Sequence, residues 1–174
     1  DRGAGLVVFP EQCLGGYPAL DLWEEPGFVR ANQQALKALA RETGETALIV
    51  GFTAKNPKRL GKPVCNAAAL LHRGRLAALR CKTLLPTYDV FDEARYFEPA
   101  SSNPPIAFQG LRLGVTICED AWARAPVGAG FRRLYQKDPV QEQAKKGAQI
   151  LINISASPFS RGKNLDRLRL LSAQ

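Results

Sequence analysis

The sequence predicts an α/β fold in which helices pack against a mixed sheet. Two observations support this prediction. Short apolar runs of strand length alternate with segments in which apolar residues recur at helical spacing. Two of the strand-like runs, Cys65–Leu71 and Leu76–Cys81, flank the turn Arg73-Gly74-Arg75 and so predict an antiparallel hairpin. With 174 residues, the chain is long enough for a domain with its own core.

Each predicted strand is a short apolar run that stops at polar residues or glycine. In chain order the predicted strands are Leu6–Phe9, Ala47–Phe52, Cys65–Leu71, Leu76–Cys81, Leu111–Cys118 and Gln149–Ile154. Helical spacing predicts helices over Phe28–Arg41, Val140–Lys146 and Gly162–Leu171. Loops are predicted over Gly15–Pro26, Thr53–Pro63, Leu84–Pro105 and Ala121–Asp138. Loops as long as the third of these tend to carry function.

Composition and charge limit the kinds of partner that we expect this chain to bind. The net charge is +8, but the basic residues are scattered over separate loops and helices instead of forming one stripe with aromatic residues. We therefore expect no nucleic-acid partner. No apolar run approaches the ~20 residues that span a bilayer, and no signal peptide is visible. We expect a cytoplasmic protein with no membrane partner.

The ends of the chain predict a piece of a longer protein. The sequence contains no methionine, and its first strand-like run begins at Leu6. The last residues, Leu165–Gln174, stop inside a helical pattern. We therefore predict that residues 1–174 are a partial domain, incomplete at both ends.

The four cysteines do not suggest a metal site or a disulfide framework. The chain has no CxxC pair and no Cys/His cluster with zinc-like spacing. We expect reduced thiols in a reducing compartment and no bound metal.

Chemically useful side chains follow the predicted strands. Glu11 ends the Phe9-Pro10-Glu11 motif, Lys82 follows a hairpin strand, and Cys118 follows an apolar run, as does Ser155–Pro158. In α/β sheets, functional groups collect at strand ends where loops begin. The pattern therefore predicts that these groups form one site.

These residues suit a cysteine nucleophile that needs no histidine. The single histidine, His72, lies in a strand beside the hairpin turn and reads as an ordinary edge residue. A partly buried Glu11 could take the thiol proton, while Lys82 and the backbone amide of Glu119 stabilise an oxyanion. Attack by Cys118 on an amide would give a thioester, which water then hydrolyses. Taken singly, each side chain also fits a structural role, as a buried thiol or a salt-bridged strand end.

Longer motifs surround the three residues. They are Pro10–Pro18 (PEQCLGGYP), Lys82–Phe97 (KTLLPTYDVFDEARYF), Cys118–Trp122 (CEDAW) and Ile154–Phe159 (ISASPF). In order and context they resemble the carbon–nitrogen hydrolase (nitrilase) superfamily. Within that superfamily they look like the glutaminase domains of glutamine-dependent NAD(+) synthetases.

The resemblance implies a four-layer αββα sandwich, incomplete at both ends in this chain. Glu11 would be the general base, Lys82 the oxyanion stabiliser and Cys118 the nucleophile. Glu93 matches a second glutamate that positions the lysine or supports proton transfer. The positions that match those near the bound glutamine are Tyr88, Glu119, Ser157 and Lys163.

The resemblance also implies partners. L-glutamine would be the substrate, and the amidase step would need no cofactor. ATP, magnesium and deamido-NAD would bind only to a C-terminal synthetase domain that this chain lacks, within a homo-oligomer. The less recognisable loop 123–138 could contact that domain or a neighbouring subunit. The alternatives are a stand-alone amidase or nitrilase of the superfamily and a non-catalytic scaffold that keeps the fold.

Overall fold

A computed structural model describes residues 3–124 and 134–172. The strands are β1 Leu6–Val8, β2 Ala47–Lys55, β3 Val64–His72, β4 Arg75–Cys81, β5 Ile106–Phe108, β6 Leu111–Ile117 and β7 Ile150–Ile154. The α-helices are α1 Pro26–Arg41, α2 Glu93–Tyr96, α3 Pro139–Lys145 and α4 Lys163–Ser172. Two 3-10 segments span Leu20–Glu24 and Cys118–Trp122. The predicted α/β class is confirmed.

The strands form two sheets. The first has the order β1-β2-β3-β4, with β1 parallel to β2 and the remaining neighbours antiparallel. The second has the order β5-β6-β7, with β5 antiparallel and β7 parallel to β6. The strand pattern predicted a single mixed sheet. This prediction is wrong, because the strands form two sheets, each with parallel and antiparallel pairs. The two sheets agree with the sandwich that the family resemblance implies.

Alternation along β2 and β3 builds two cores. Ala47 and Ile49 of β2, with Ala68 and Leu70 of β3, face the second sheet and pack against β6 and β7. The alternate positions on these strands face α1 instead, where they bury Leu36 and Ala40. Because successive side chains point to opposite faces of a strand, apolar runs without alternation indicate a sheet covered on both sides.

The second sheet carries α3 on its other face. Asp138 caps this helix by accepting a hydrogen bond from the backbone N–H of Gln141 at 2.9 Å. Gln143 reaches down from α3 and donates to the carbonyl of Val115 in β6 at 2.7 Å. The order helix, sheet, sheet, helix is thus the predicted four-layer sandwich. Within the described ranges, no helix is long and apolar enough to cross a membrane.

Several short elements fall outside the predicted strands and helices. β5 was missed because it has only three residues, which pair with β6 across a tight turn at Gln109-Gly110. Both turn residues have positive φ, 47° and 79°, as a two-residue hairpin requires. The predicted loop Gly15–Pro26 contains the 3-10 segment Leu20–Glu24, and the predicted loop Leu84–Pro105 contains α2. Most of the loop 123–138 lies outside the described residues.

Candidate active site

The ends of strands from both sheets meet at one place. Lys82 directly follows β4, Cys118 directly follows β6, and Ser155 directly follows β7. The backbone N–H of Ala156 donates to Oε2 of Glu11 at 3.0 Å, which joins the end of β7 to the loop after β1. The convergence predicted from the strand ends is therefore present in the structure.

A glycine in β2 lets Glu11 reach this place. The loop after β1 crosses β2, with hydrogen bonds from Phe9 N to Ile49 O at 2.8 Å and from Leu14 N to Gly51 O at 3.3 Å. A Cβ atom on Gly51 would lie 2.3 Å from the carbonyl oxygen of Pro10 and 2.7 Å from Cα of Glu11. Since these are backbone atoms that cannot move aside, only glycine permits the approach.

Lys82 is fully buried between two carboxylates. Its Nζ lies 2.8 Å from Oε1 of Glu11 and 2.6 Å from Oε1 of Glu93. Burial alone would lower the pKa of Lys82, but the two carboxylates outweigh it and hold the pKa well above its ordinary value. The side chain is therefore an ammonium group, with a third N–H beyond the two that these carboxylates receive.

Glu93 is the first residue of α2 and is 1% exposed. Its Oε1 also accepts a hydrogen bond from the Tyr17 hydroxyl at 2.9 Å. Burial raises the pKa of Glu93, and the charge of Glu11 acts in the same direction, whereas Lys82 opposes both. The amide of Asn66 donates to both glutamates, at 2.7 Å to Glu11 and 3.4 Å to Glu93.

Cys118 begins the 3-10 segment after β6 and has a φ of 44°. Non-glycine residues seldom adopt this left-handed conformation, and strained backbone of this kind is concentrated at active sites. Burial raises the pKa of the Cys118 thiol to about 11, the charge of Glu11 adds to the effect, and Lys82 opposes it. The Ser155 hydroxyl donates to Sγ at 3.4 Å. At neutral pH the Cys118 side chain is therefore a thiol.

Asp120 connects the lysine to the cysteine. One carboxylate oxygen accepts from the backbone N–H groups of Thr83 and Leu84 at 2.9 and 2.8 Å, and the other accepts from Ile117 N at 3.0 Å. Burial raises its pKa to about 7, while these backbone donors act against that shift. The Asp120 side chain therefore fixes the segment after Lys82 relative to Ile117, the residue before Cys118.

Glu119 forms a second polar centre beside the cysteine. The Tyr88 hydroxyl lies 2.9 Å from both carboxylate oxygens, and the Tyr135 hydroxyl donates to Oε1 at 2.8 Å. Tyr88 also packs edge-on against Phe91, with 5.8 Å between ring centroids. The structure thus brings the predicted Tyr88 and Glu119 together and adds Tyr135, which the sequence reasoning missed.

The last two predicted binding residues, Ser157 and Lys163, differ in their contacts. Ser157 Oγ lies 3.9 Å from Sγ of Cys118. Lys163 begins α4, and its side chain makes no hydrogen bond or ion pair with another described residue. Instead, Arg167, one turn further along α4, donates to Ser157 Oγ at 2.8 Å.

His72, which the sequence predicts to be an ordinary edge residue, lies apart from this site. His72 packs edge-on against Phe108, with 5.1 Å between ring centroids, at the hairpin end of the first sheet. All four cysteines are free. Within residues 3–124 and 134–172, no cluster of three or more His, Cys, Asp or Glu side chains could hold a metal ion.

Asn66 is the missed residue for which the sequence held a signal. It is a polar amide in the middle of the otherwise apolar run of β3, VCNAAALLH. A buried amide at such a position needs hydrogen-bond partners. Asn66 therefore indicates that other polar groups lie against this face of the sheet. Nothing in the sequence singles out Tyr135 or Arg167.

Comparison with known proteins agrees with this geometry. Residues 1–127 match the model of the carbon–nitrogen hydrolase family. A glutamine-dependent NAD(+) synthetase of Synechocystis sp. is 38% identical over 175 residues, which cover 98% of this chain and 31% of that protein. The structure of a glutamine-dependent NAD+ synthetase from Acinetobacter baumannii in complex with ADP has a TM-score of 0.82 at 29% identity. That match covers 98% of this chain and 29% of the structure's chain.

A mutant amidase of the nitrilase superfamily from Nesterenkonia has a TM-score of 0.73 at 22% identity, over 99% of this chain and 59% of its own, and so shares the fold. The chain spans only about three tenths of the length of the Synechocystis relative. The stretch matched to the family model includes Glu11, Lys82, Glu93 and Cys118, and both sheets apart from β7. The chain belongs to the carbon–nitrogen hydrolase family.

Proposed function

We propose that this chain hydrolyses the side-chain amide of L-glutamine as the glutaminase part of a glutamine-dependent NAD(+) synthetase. The observation that carries the proposal is the buried cluster of Glu11, Lys82 and Glu93 at the strand ends where Cys118 lies. A base, a cation and a thiol at one place are the groups that acyl transfer through a cysteine requires.

In the first half-reaction, Glu11 takes the proton of the Cys118 thiol as Sγ bonds to the amide carbon. The carbonyl electrons move onto oxygen, where the third N–H of Lys82 and the backbone N–H of Glu119 stabilise the negative charge. When the carbonyl re-forms, the C–N bond breaks and Glu11 returns the proton to nitrogen. Ammonia leaves, and the glutamyl group stays on Cys118 as a thioester.

In the second half-reaction, water replaces the thiol as nucleophile. Glu11 takes a proton from the water as its oxygen bonds to the thioester carbon, and the same two donors stabilise the oxyanion. Collapse breaks the C–S bond, and the proton on Glu11 returns to sulfur. Glutamate is released and the Cys118 thiol is restored, so one amide and one water give one glutamate and one ammonia.

The second polar centre favours an amino-acid substrate over a simple amide. The carboxylate of Glu119, held by Tyr88 and Tyr135, can accept the α-ammonium group of glutamine. Ser157, with Arg167 behind it, offers donors to the α-carboxylate. Lys163 would also contact the α-carboxylate only if its side chain approached Ser157. A stand-alone amidase that acts on a simple amide has no need of this arrangement.

The ammonia would pass to an ATP-dependent site outside this chain. The Synechocystis relative is named a glutamine-dependent NAD(+) synthetase, and this chain covers 31% of it. In the proposal, ATP, magnesium and deamido-NAD bind to the remaining part, where ammonia amidates deamido-NAD. Residues 1–174 supply only the hydrolase portion.

The test is Cys118→Ala in the intact parent protein, with Cys13→Ala as the control because Cys13 is also a free cysteine. We expect C118A to lose glutamine hydrolysis and glutamine-dependent NAD(+) formation but to keep ammonia-dependent NAD(+) formation. C13A should keep all three activities. Loss of both NAD(+)-forming activities in C118A, or of neither, would contradict the assignment.

A further inference from the structure

Asn66 touches every member of the glutamate–lysine–glutamate cluster. It lies in the middle of β3 and is 1% exposed. Its backbone carbonyl accepts from the backbone N–H of Lys82 at 2.8 Å. Its side-chain amide donates one N–H toward Glu11 at 2.7 Å and one toward Glu93 at 3.4 Å.

The orientation of the Asn66 amide follows from a chain of hydrogen bonds that starts at a backbone carbonyl. Nε2 of Gln12 lies 3.1 Å from the carbonyl oxygen of Phe52, which can only accept. Oε1 of Gln12 therefore faces the Thr53 hydroxyl, which donates at 2.8 Å. The other N–H of Gln12 meets Oδ1 of Asn66 at 2.9 Å. The amino group of Asn66 must then point at the two glutamates.

These contacts leave one oxygen of Glu11 suited to proton transfer. Oε1 already accepts from Lys82 and Asn66. Oε2 accepts the backbone N–H of Ala156 at 3.0 Å and keeps a second lone pair. A proton that leaves Cys118 is therefore best received on Oε2.

We propose that Asn66 is a positioning residue that holds Glu11 and Glu93 as ionised acceptors and directs the Cys118 proton to Oε2 of Glu11. This inference rests on the proposed function. Two buried carboxylates share the single charge of Lys82, and each is destabilised by the other. The Tyr17 hydroxyl stabilises the ionised form of Glu93, and the backbone N–H of Ala156 stabilises that of Glu11. The Asn66 amide is the group that donates to both carboxylates at once.

The test uses two variants of the intact parent protein. Asn66→Ala removes both donors, whereas Asn66→Asp keeps the side-chain shape but replaces the amino group with a carboxyl oxygen. Gln143→Ala is the matched control, because Gln143 is also a buried amide, 1% exposed, but donates to the carbonyl of Val115 in the other sheet. The first readout is the pH profile of kcat/KM for glutamine hydrolysis.

We expect the acid limb to move to higher pH by about one unit in N66A, a tenfold change in ionisation, and further in N66D, which adds a third carboxyl group. Q143A should lower the melting temperature without moving the acid limb. An acid limb that stays in place in either Asn66 variant, or that moves equally in Q143A, would overturn the proposal.

A second readout needs no substrate. The infrared carbonyl band of protonated carboxyl groups, followed against pH, should appear at higher pH in N66A than in the wild type and Q143A. If the wild-type protein does not hydrolyse glutamine, the proposed function fails, but this titration still decides the role of Asn66. An unchanged carboxyl titration in N66A would refute that role.

Discussion

At the residue scale, the state of the Cys118 thiol decides how the proposed hydrolysis starts. With a pKa of about 11, only about one molecule in ten thousand carries the thiolate at pH 7. A nucleophile in this state depends on a base that removes the proton during attack. The structure offers Glu11 for that role, since the only histidine contacts Phe108 instead.

A direct titration tests this state. The thiolate absorbance of Cys118, taken as the difference between wild type and C118A, should rise with a midpoint near pH 11. Glu11→Gln should lower the midpoint, because the charge of Glu11 disfavours the thiolate, and yet should abolish hydrolysis. A midpoint near neutral pH in the wild type, or hydrolysis that persists in E11Q, would show that Glu11 is not needed as a base.

Lys82 is as important for stability as for chemistry. Lys82→Met leaves two buried carboxylates without their cation, and losing one partner of a buried ion pair is strongly destabilising, by about 3–5 kcal/mol. Thermal unfolding should show this loss, whereas Lys55→Met at an exposed position should change little. Adding Glu93→Gln to K82M should recover part of the stability and none of the activity. Wild-type stability in K82M would contradict the ion-pair geometry.

The sequence predicted the reacting residues better than their supports. Glu11, Lys82 and Cys118 stand at the ends of apolar runs, which is a local signal. The supports depend on contacts between distant segments, as between Asn66 and Glu11, 55 residues apart in sequence. The role of Lys163 stays a prediction, because its side chain makes no hydrogen bond or ion pair with another described residue.

At the element scale, β2 is the strand that positions Glu11, the proposed general base. Its two faces fill two different cores, and Gly51, on the same face as Ala47 and Ile49, admits the loop that carries Glu11. Strands this regular are predictable from their apolar content. The close approach at Gly51 is not, because it depends on the path of another segment.

Gly51→Ala tests this role of β2. The added Cβ meets backbone atoms of Pro10, Glu11 and Gln12, so we expect a loss of stability of about 1–3 kcal/mol from overpacking. Hydrolysis should fall more than stability alone explains, because Glu11 is displaced. Gly44→Ala is the control, since its Cβ has no atom within 4 Å. Equal activities in the two folded variants would refute this role of Gly51.

At the scale of the whole molecule, the sandwich makes the site by stacking two sheets face to face so that their strand ends meet. The first sheet and its loops supply Glu11 and Lys82, and the second supplies Cys118 and Ser155. Strand periodicity alone predicted one sheet, because it cannot tell which strands pair. The motifs around Glu11, Lys82 and Cys118 implied the two-sheet sandwich, which periodicity alone could not predict.

We propose Cys118 as the nucleophile of a site that recognises glutamine. Peptide mass spectrometry of the intact parent protein, after reaction with a diazoketone analogue of glutamine, tests this role. We expect one adduct, on Cys118, that forms more slowly in the presence of excess glutamine and in Glu119→Gln. An adduct on Cys13, Cys65 or Cys81 instead, or an unmodified Cys118 in a protein that hydrolyses glutamine, would contradict it.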